Sequence, residues 1–181
     1  MRDVIVSLVI QMQVFEAIRT RRSIRQYSSK PVEKDKLLKV LEAVRLSPSA
    51  TNRQPWSFIV VTKPELKEKL REAYDRDWFV SAPVIIVACA HPDKAWVRSD
   101  GEEYWKVDVA IAMQDLILAA WEQGLGTCWI GAFREEEVKK ALQIPDDVRV
   151  VAMTPLGYPA EEKGPVSNRK PLEEIIHYDG W

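Results

Sequence analysis

YWKVDVAIAMQDLILAAWEQ, residues 104–123, is the stretch that decides how the rest of the chain must be arranged. Val107, Val109, Ala110, Ile111, Ala112, Met113, Leu116, Ile117, Leu118, Ala119, Ala120 and Trp121 leave almost no polar face, and a helix that is apolar nearly all round is buried on all sides. In a chain of 181 residues, packing this helix against a second subunit is one simple way to bury it. Gly124 stops the helix. The segment that follows, GLGTCWIGA (124–132), leads into a strand expected over Thr127–Phe133. Glycines that follow a helix and enter a strand reverse the order of a dinucleotide fingerprint, which follows a strand and opens a helix. Gly124 and Gly126 therefore read as a helix stop. Gly131, at a strand end, leaves bare backbone against which a flat ring can lie.

Working outward from this helix, Val84–Ala90 is a continuous apolar run of the kind a central strand gives. Trp56–Thr62 is a second β-rich run, and Pro64–Asp75 is a charged helix with proline in its first turn. Leu37, Leu38, Val40, Leu41 and Val44 recur at helical spacing and predict an amphipathic helix over Glu33–Ser47. Val14 to about Arg21 reads as a short helix, His91–Glu103 as a polar loop, Glu135–Gln143 as a helix and Arg149–Leu156 as a strand. The tail from Gly157 is Pro-rich, with a late turn around Leu172–Ile176. Strands alternate with helices, and periodicity alone suggests an α/β parallel sheet. With no repeat and no Gly/Ser linker, residues 14–181 read as one domain behind an N-terminal extension, residues 1–13. In that extension Val4–Ile10 is apolar apart from Ser7, too short to span a bilayer and without a following cleavage site. It reads as a docked extra strand or helix turn, or as residues ahead of a true start at Met12.

Bulk properties narrow the function. A net charge of −1 gives no electrostatic case for nucleic acid or an acidic membrane. The two cysteines, Cys89 and Cys128, lie in apolar runs and form neither a disulfide framework nor a zinc spacing, which fits a reducing cytoplasm. With only two histidines, His91 and His177, the chain shows no nucleophile–histidine–carboxylate arrangement and no metal cluster. No protein residue is expected to be catalytic. Seven tryptophans are many for this size and suit a core, an interface or a flat aromatic ligand.

Three stretches carry groups suited to binding. In RTRRSIR, Arg21, Arg22, Ser23 and Arg25 crowd a helix end, reading either as a solvated basic patch or as a phosphate grip, since guanidinium forks match phosphate oxygens. In PSATNRQPW (48–56), small residues permit close approach to a flat ligand, and Asn52 and Gln54 each offer a donor and an acceptor to a heterocycle edge. NRKP (168–171) places a second cationic pair, Arg169 and Lys170, near the end.

RRSIR, PSATNRQPW, GLGTCWIGAF after a long apolar helix, and LGYP followed by NRKP resemble, in this order and spacing, the nitroreductase family over roughly residues 14–176. The resemblance implies an α+β fold with a mostly antiparallel central sheet flanked by helices, not the parallel sheet. It implies an intertwined homodimer with FMN at the subunit interface, reduced by NAD(P)H. Arg21, Arg22 and Ser23 would then contact phosphate and ribityl, Arg25 the pyrimidine ring, and Arg169 with Lys170 the phosphate. Pro48, Ser49, Ala50 and Asn52 would come from the partner, and Gln54 is a further candidate contact. Trp129, Ile130 and Gly131 would line the ring, offering a backbone N–H. In this reading FMN carries the chemistry while the protein supplies position and field. The activity implied is transfer from NAD(P)H to nitroaromatics, quinones or flavins by a ping-pong mechanism. The alternatives are a specialised member (a dehalogenase, a ring dehydrogenase or a flavin-degrading enzyme) or a non-catalytic FMN carrier or sensor. Trp78, Phe79, Trp96, Tyr104 and Trp105 are candidates either to wall the substrate site or to fill core and interface.

Overall fold

Side chains alternate along the strand Val84–Ala90, and all seven of its residues are buried because both faces are covered. Val84, Ile86, Ala88 and Ala90 enter one core; Ile85, Val87 and Cys89 enter another. A computed structural model describes residues 13–181 and shows what covers each face. The elements are α1 (Val14–Thr20), α2 (Lys34–Leu46), β1 (Trp56–Val61), α3 (Pro64–Lys69), α4 (Asp77–Val80), β2 (Val84–Ala90), α5 (Trp105–Glu122), β3 (Gly126–Thr127), α6 (Glu135–Leu142) and β4 (Arg149–Gly157). The first core joins β2 to α2 and α5 through Val40, Val44, Met113 and Leu116; the second packs Leu70, Phe79 and Val138 beneath the opposite face. Each such aliphatic or aromatic side chain contributes about 1.5–3 kcal/mol by leaving water. The apolar run Val4–Ile10 lies outside the described residues.

The sheet has the order β1-β2-β4-β3, and every pair is antiparallel, with Trp56 opposite Ala90, Val84 opposite Leu156 and Gly126 opposite Gly157. The fold is therefore α+β, as the family resemblance implies and not as strand–helix alternation suggests. Periodicity reports the type of each element but not the direction in which the next strand enters. Between β1 and β2 the chain makes the short α3, a 3-10 turn at Leu70–Glu72 and then α4, where one helix over Pro64–Asp75 is expected.

Two further expectations change. The strand expected over Thr127–Phe133 shrinks to β3 and an isolated Ile130–Met153 bridge, because the Cys128 N–H turns to the Thr154 hydroxyl, 3.1 Å away. Gly126 is not a helix stop. A Cβ there would lie 2.7 Å from Cγ1 of Ile24, so this glycine admits the Ile24 side chain. Gly124 alone ends α5. At φ +74° it donates its N–H to Trp121, while Leu125 donates to Ala120, the paired bonds of a Schellman cap.

Within one chain α5 is not buried on all sides. Val109, Ala112, Met113, Leu116, Ile117 and Ala120 face the core, but Val107 and Ile111 are 42% and 37% exposed, and Leu118 is half-buried. Phe15 and Ile18 of the adjacent α1 are exposed too, as are Leu172, Ile175, Tyr178 and Trp181 in the tail. Exposed apolar side chains of this size are surface that an interaction can bury. Among the described residues no helix is long and apolar enough to cross a membrane.

Candidate functional site

RRSIR leaves the end of α1 and is drawn against the sheet edge. Ile24 donates its N–H to the Thr127 carbonyl at 2.8 Å, Ser23 bridges Thr127 in parallel, and the Ile24 side chain is wholly buried. This anchoring fixes the backbone and leaves the flanking charged side chains outside.

Those charges are not equivalent. Arg22 donates through Nη1 to the carbonyls of Thr20 and Arg21, at 3.0 and 2.7 Å, and through Nε to Gly164 at 2.7 Å. A cation is well placed against the open carbonyls of a helix C-terminus, so this fork is engaged by the chain itself. Arg19 is likewise paired, with Glu16 at 2.8 Å. Arg21 has no such partner among the described residues. It lines a cleft of about 400 Å³ together with Arg169, Gln114, Phe15, Ile18 and Val166. Arg169 is also free of side-chain partners among the described residues, so two unpaired guanidiniums from opposite ends of the sequence share one cleft. Lys170 is exposed and is not part of its lining.

The residues after β4 strap this segment down. Glu161 accepts the Arg25 N–H, and Lys163 reaches the Ser23 carbonyl at 2.7 Å while pairing with Glu161 at 3.0 Å. Burial works against ionisation of Glu161, but the Arg25 N–H and the Lys163 ammonium outweigh it and hold the carboxyl below its usual range. The Arg25 side chain itself points free, near Cys128. Burial pushes the Cys128 thiol up, with Arg25 and Ser23 opposing. Residues 21–25 and 127–131 thus meet within one chain. Of the second group, Trp129 is partly exposed and Gly131 is exposed, but Ile130 is in the core with its N–H bonded to Met153 at 2.8 Å. Any backbone donor to a ligand here comes from Trp129 or Gly131.

The loop of residues 48–54 is built differently. Thr51, Asn52 and Gln54 all have positive φ, 51°, 57° and 51°, a conformation that costs L residues on the order of 1 kcal/mol or more each. Ser49 accepts the Gln54 N–H at 2.9 Å, and the Gln54 amide donates to Asn52. Arg53 leaves the loop to bond the Ala95 carbonyl at 2.8 Å. Pro48 and residues 51–54 are exposed. No hydrogen bond or ion pair among the described residues joins this loop to the cationic cleft.

Of the aromatic candidates, Phe79 and Trp105 are core residues. Trp78 packs edge-on against Tyr74, in the same cluster as Phe79. Trp96 and Tyr104 are half-buried and stack edge-to-face at 4.8 Å. Their loop is a small turn, with Val97 bridging Glu103 and Arg98 bonding Asp100. Sequence reasoning missed Arg53, Glu161, Lys163, Asp108 and Asp115. Only the last two left a signal: they are acids inside an otherwise apolar helix.

The chain matches the model of the nitroreductase family over residues 18–78 and 71–158. It is 38% identical over 178 residues to a protein of Methanothermobacter thermautotrophicus whose name proposes an NADH dehydrogenase/NAD(P)H nitroreductase, covering 96% of this chain and 90% of that one. Among solved structures it resembles a nitroreductase family protein from Clostridium difficile 630, with a TM-score of 0.85 and 33% identity over 94% of this chain and all of the other. An FMN-dependent nitroreductase from Clostridium difficile R20291 superposes with a TM-score of 0.77 at 30% identity, covering 91% and 98%.

Proposed function

The chain belongs to the nitroreductase family, and from that premise we propose that it works as a homodimer that holds FMN between its subunits and reduces small electron-poor acceptors. The protein is an NAD(P)H-dependent oxidoreductase. The observation that carries the FMN assignment is the pair of unpaired guanidiniums, Arg21 and Arg169, on one cleft with apolar Phe15, Ile18 and Val166. A phosphate needs the first feature and the stem of a flavin tolerates the second. Arg21 and Arg169 bind the phosphate, with Ser23 beside them. Arg22 acts through the backbone it clasps, and Lys170 adds charge at the rim. The free guanidinium of Arg25 faces the pyrimidine end, where it favours negative charge on the ring. Trp129 and Gly131 bound the ring, and Pro48, Ser49, Ala50, Asn52 and Gln54 approach it from the second subunit. The stripe Val107–Ile111–Leu118, exposed at its first two positions and half-buried at the third, and the apolar tail supply the surface that a dimer buries. Residues 14–181 form the single domain that does this, in the cytoplasm.

When bound, FMN would supply the hydride chemistry that links NAD(P)H to nitroaromatics, quinones or free flavins. The chain's own part is to fix the phosphate, set the field at the ring and leave one face open to both substrates in turn. That sharing of one face gives ping-pong kinetics.

The test is the visible spectrum of the purified protein, followed by anaerobic addition of NADH or NADPH. Flavin bands that bleach with nicotinamide and return with a quinone or nitroarene support the reading. Colourless protein that takes up no added FMN contradicts it, and bound flavin that no nicotinamide reduces would make the protein a carrier.

A further inference from the structure

Asp108 and Asp115 lie seven residues apart on α5 and so share one face of the helix, and both meet the segment that begins the strained loop. Asp115 Oδ2 is 2.7 Å from the Ser47 hydroxyl. Asp108 Oδ1 accepts the Ala50 N–H at 2.8 Å. Asp108 is only 1% exposed, and its Oδ2 is buried without a hydrogen-bond partner. A carboxylate buried with one oxygen unsatisfied is a poor stabilising device, since a buried polar group with no partner costs free energy. Its position is better explained by what its bonded oxygen does. Ala50 is the first residue of the 3-10 turn Ala50–Asn52, directly ahead of the three residues with positive φ. Ser49 is extended, so the turn's first N–H has no partner within the turn. Asp108 supplies that partner from a rigid helix.

We propose that Asp108 is a positioning residue for the flavin site. Through the Ala50 N–H it holds the 48–54 loop in the strained shape that presents its small residues and the amides of Asn52 and Gln54 to the ring. This rests on the FMN reading above. It adds a residue that touches no ligand but sets the loop that does. The stripe Val107–Ile111 lies beside Asp108 on the same helix, so the loop is fixed to the element whose outer face meets the second subunit.

The experiment titrates flavin-stripped protein with FMN and with riboflavin, following the visible bands and flavin fluorescence, alongside thermal melts. Asp108→Ala should weaken FMN and riboflavin by the same factor, about tenfold or more, because the loop addresses the ring and not the phosphate. Asp108→Asn keeps an acceptor oxygen for Ala50 and should restore most of that loss. Ala50→Pro removes the N–H from the loop side at a turn position that tolerates proline. It should reproduce the loss with Asp108 intact, and combining it with Asp108→Ala should add little. The proposal is overturned if Asp108→Ala lowers only the melting temperature, if it weakens FMN but not riboflavin, or if Asp108→Asn is as damaging as alanine. Should Asp108→Ala fail to fold, Ala50→Pro with unchanged flavin affinity overturns it equally. Failure of wild-type protein to bind either flavin would instead strike the underlying FMN reading.

Discussion

Residues 21–25 and residues 48–54 both carry candidate ligands, yet the protein fixes them by opposite means. Residues 21–25 are drawn into the sheet edge by their backbone, with Ile24 buried and Glu161 and Lys163 strapped across, and the charges of Arg21 and Arg25 remain free. The 48–54 loop joins no sheet. It holds a strained path through side-chain bonds from α5 and Arg53, and its only cation is turned away to Ala95. The first region is built to present charge, the second to present shape. A ligand with an anionic end and a flat polar ring needs both.

The largest effect should come from separating the two regions. Ile111→Asp places a carboxylate in the apolar stripe of α5, where burying it unpaired costs several kcal/mol. Sedimentation velocity should show monomers, and FMN should be lost. A stable dimer that keeps its flavin would remove α5 from the interface. Next, Arg21→Ala and Arg169→Ala should each weaken FMN by about 1.5–3 kcal/mol, the worth of a hydrogen bond to a charged group, and leave riboflavin unchanged. The salt dependence of FMN binding should fall as well. Equal losses for both flavins would erase the distinction between charge and shape. Gly126→Ala drives a Cβ into Ile24 and should cost about 1–3 kcal/mol in stability, moving residues 21–25 and lowering flavin occupancy, as calorimetry and absorbance would show.

Two smaller effects sharpen the contrast. The depressed Glu161 carboxyl contributes above its ordinary unfolded range, and its contribution vanishes as pH falls below that range towards the folded value. FMN release on acidification should therefore begin at the cationic half, and Glu161→Gln should flatten that part of the pH profile. Thr51→Gly relieves a positive φ and should change stability by no more than about 1 kcal/mol, since the freer unfolded chain offsets the relief. Flavin affinity should nonetheless drop several-fold as the loop loosens.

These contrasts also explain what the sequence disclosed. Element types were legible wherever burial imposes a period. The run Val84–Ala90 is a strand over the residues expected, and the apolar helix was misplaced by only a residue at each end. The parallel sheet was a wrong inference from periodicity alone, since strand direction depends on short connectors such as α4 that carry too few residues to show a period. The three polar binding stretches were visible because guanidiniums and amides betray their chemistry by type. What Arg22 does was not, because Arg21 and Arg22 are the same residue in sequence and differ only in which carbonyls lie within reach. Ile130 likewise belongs to the core, and only the pairing with Met153 reveals it. Asp108 stood in plain view as an acid in an apolar helix, but its partner, a backbone N–H far away in the chain, has no sequence signature.

In the proposed dimer one flavin takes charge from one subunit and shape from the other. The direct test is complementation between two defective chains, one carrying Arg21→Ala with Arg169→Ala and the other carrying Asp108→Ala, co-expressed with different tags and purified as the mixed dimer. In such a dimer one site combines both defects, and the other combines two intact halves. One FMN per mixed dimer should bind with wild-type affinity, while both sites of each parent dimer bind it more weakly. A mixed dimer in which both sites bind as weakly as in its parents would mean that both regions serve the flavin from the same chain, and would contradict this arrangement.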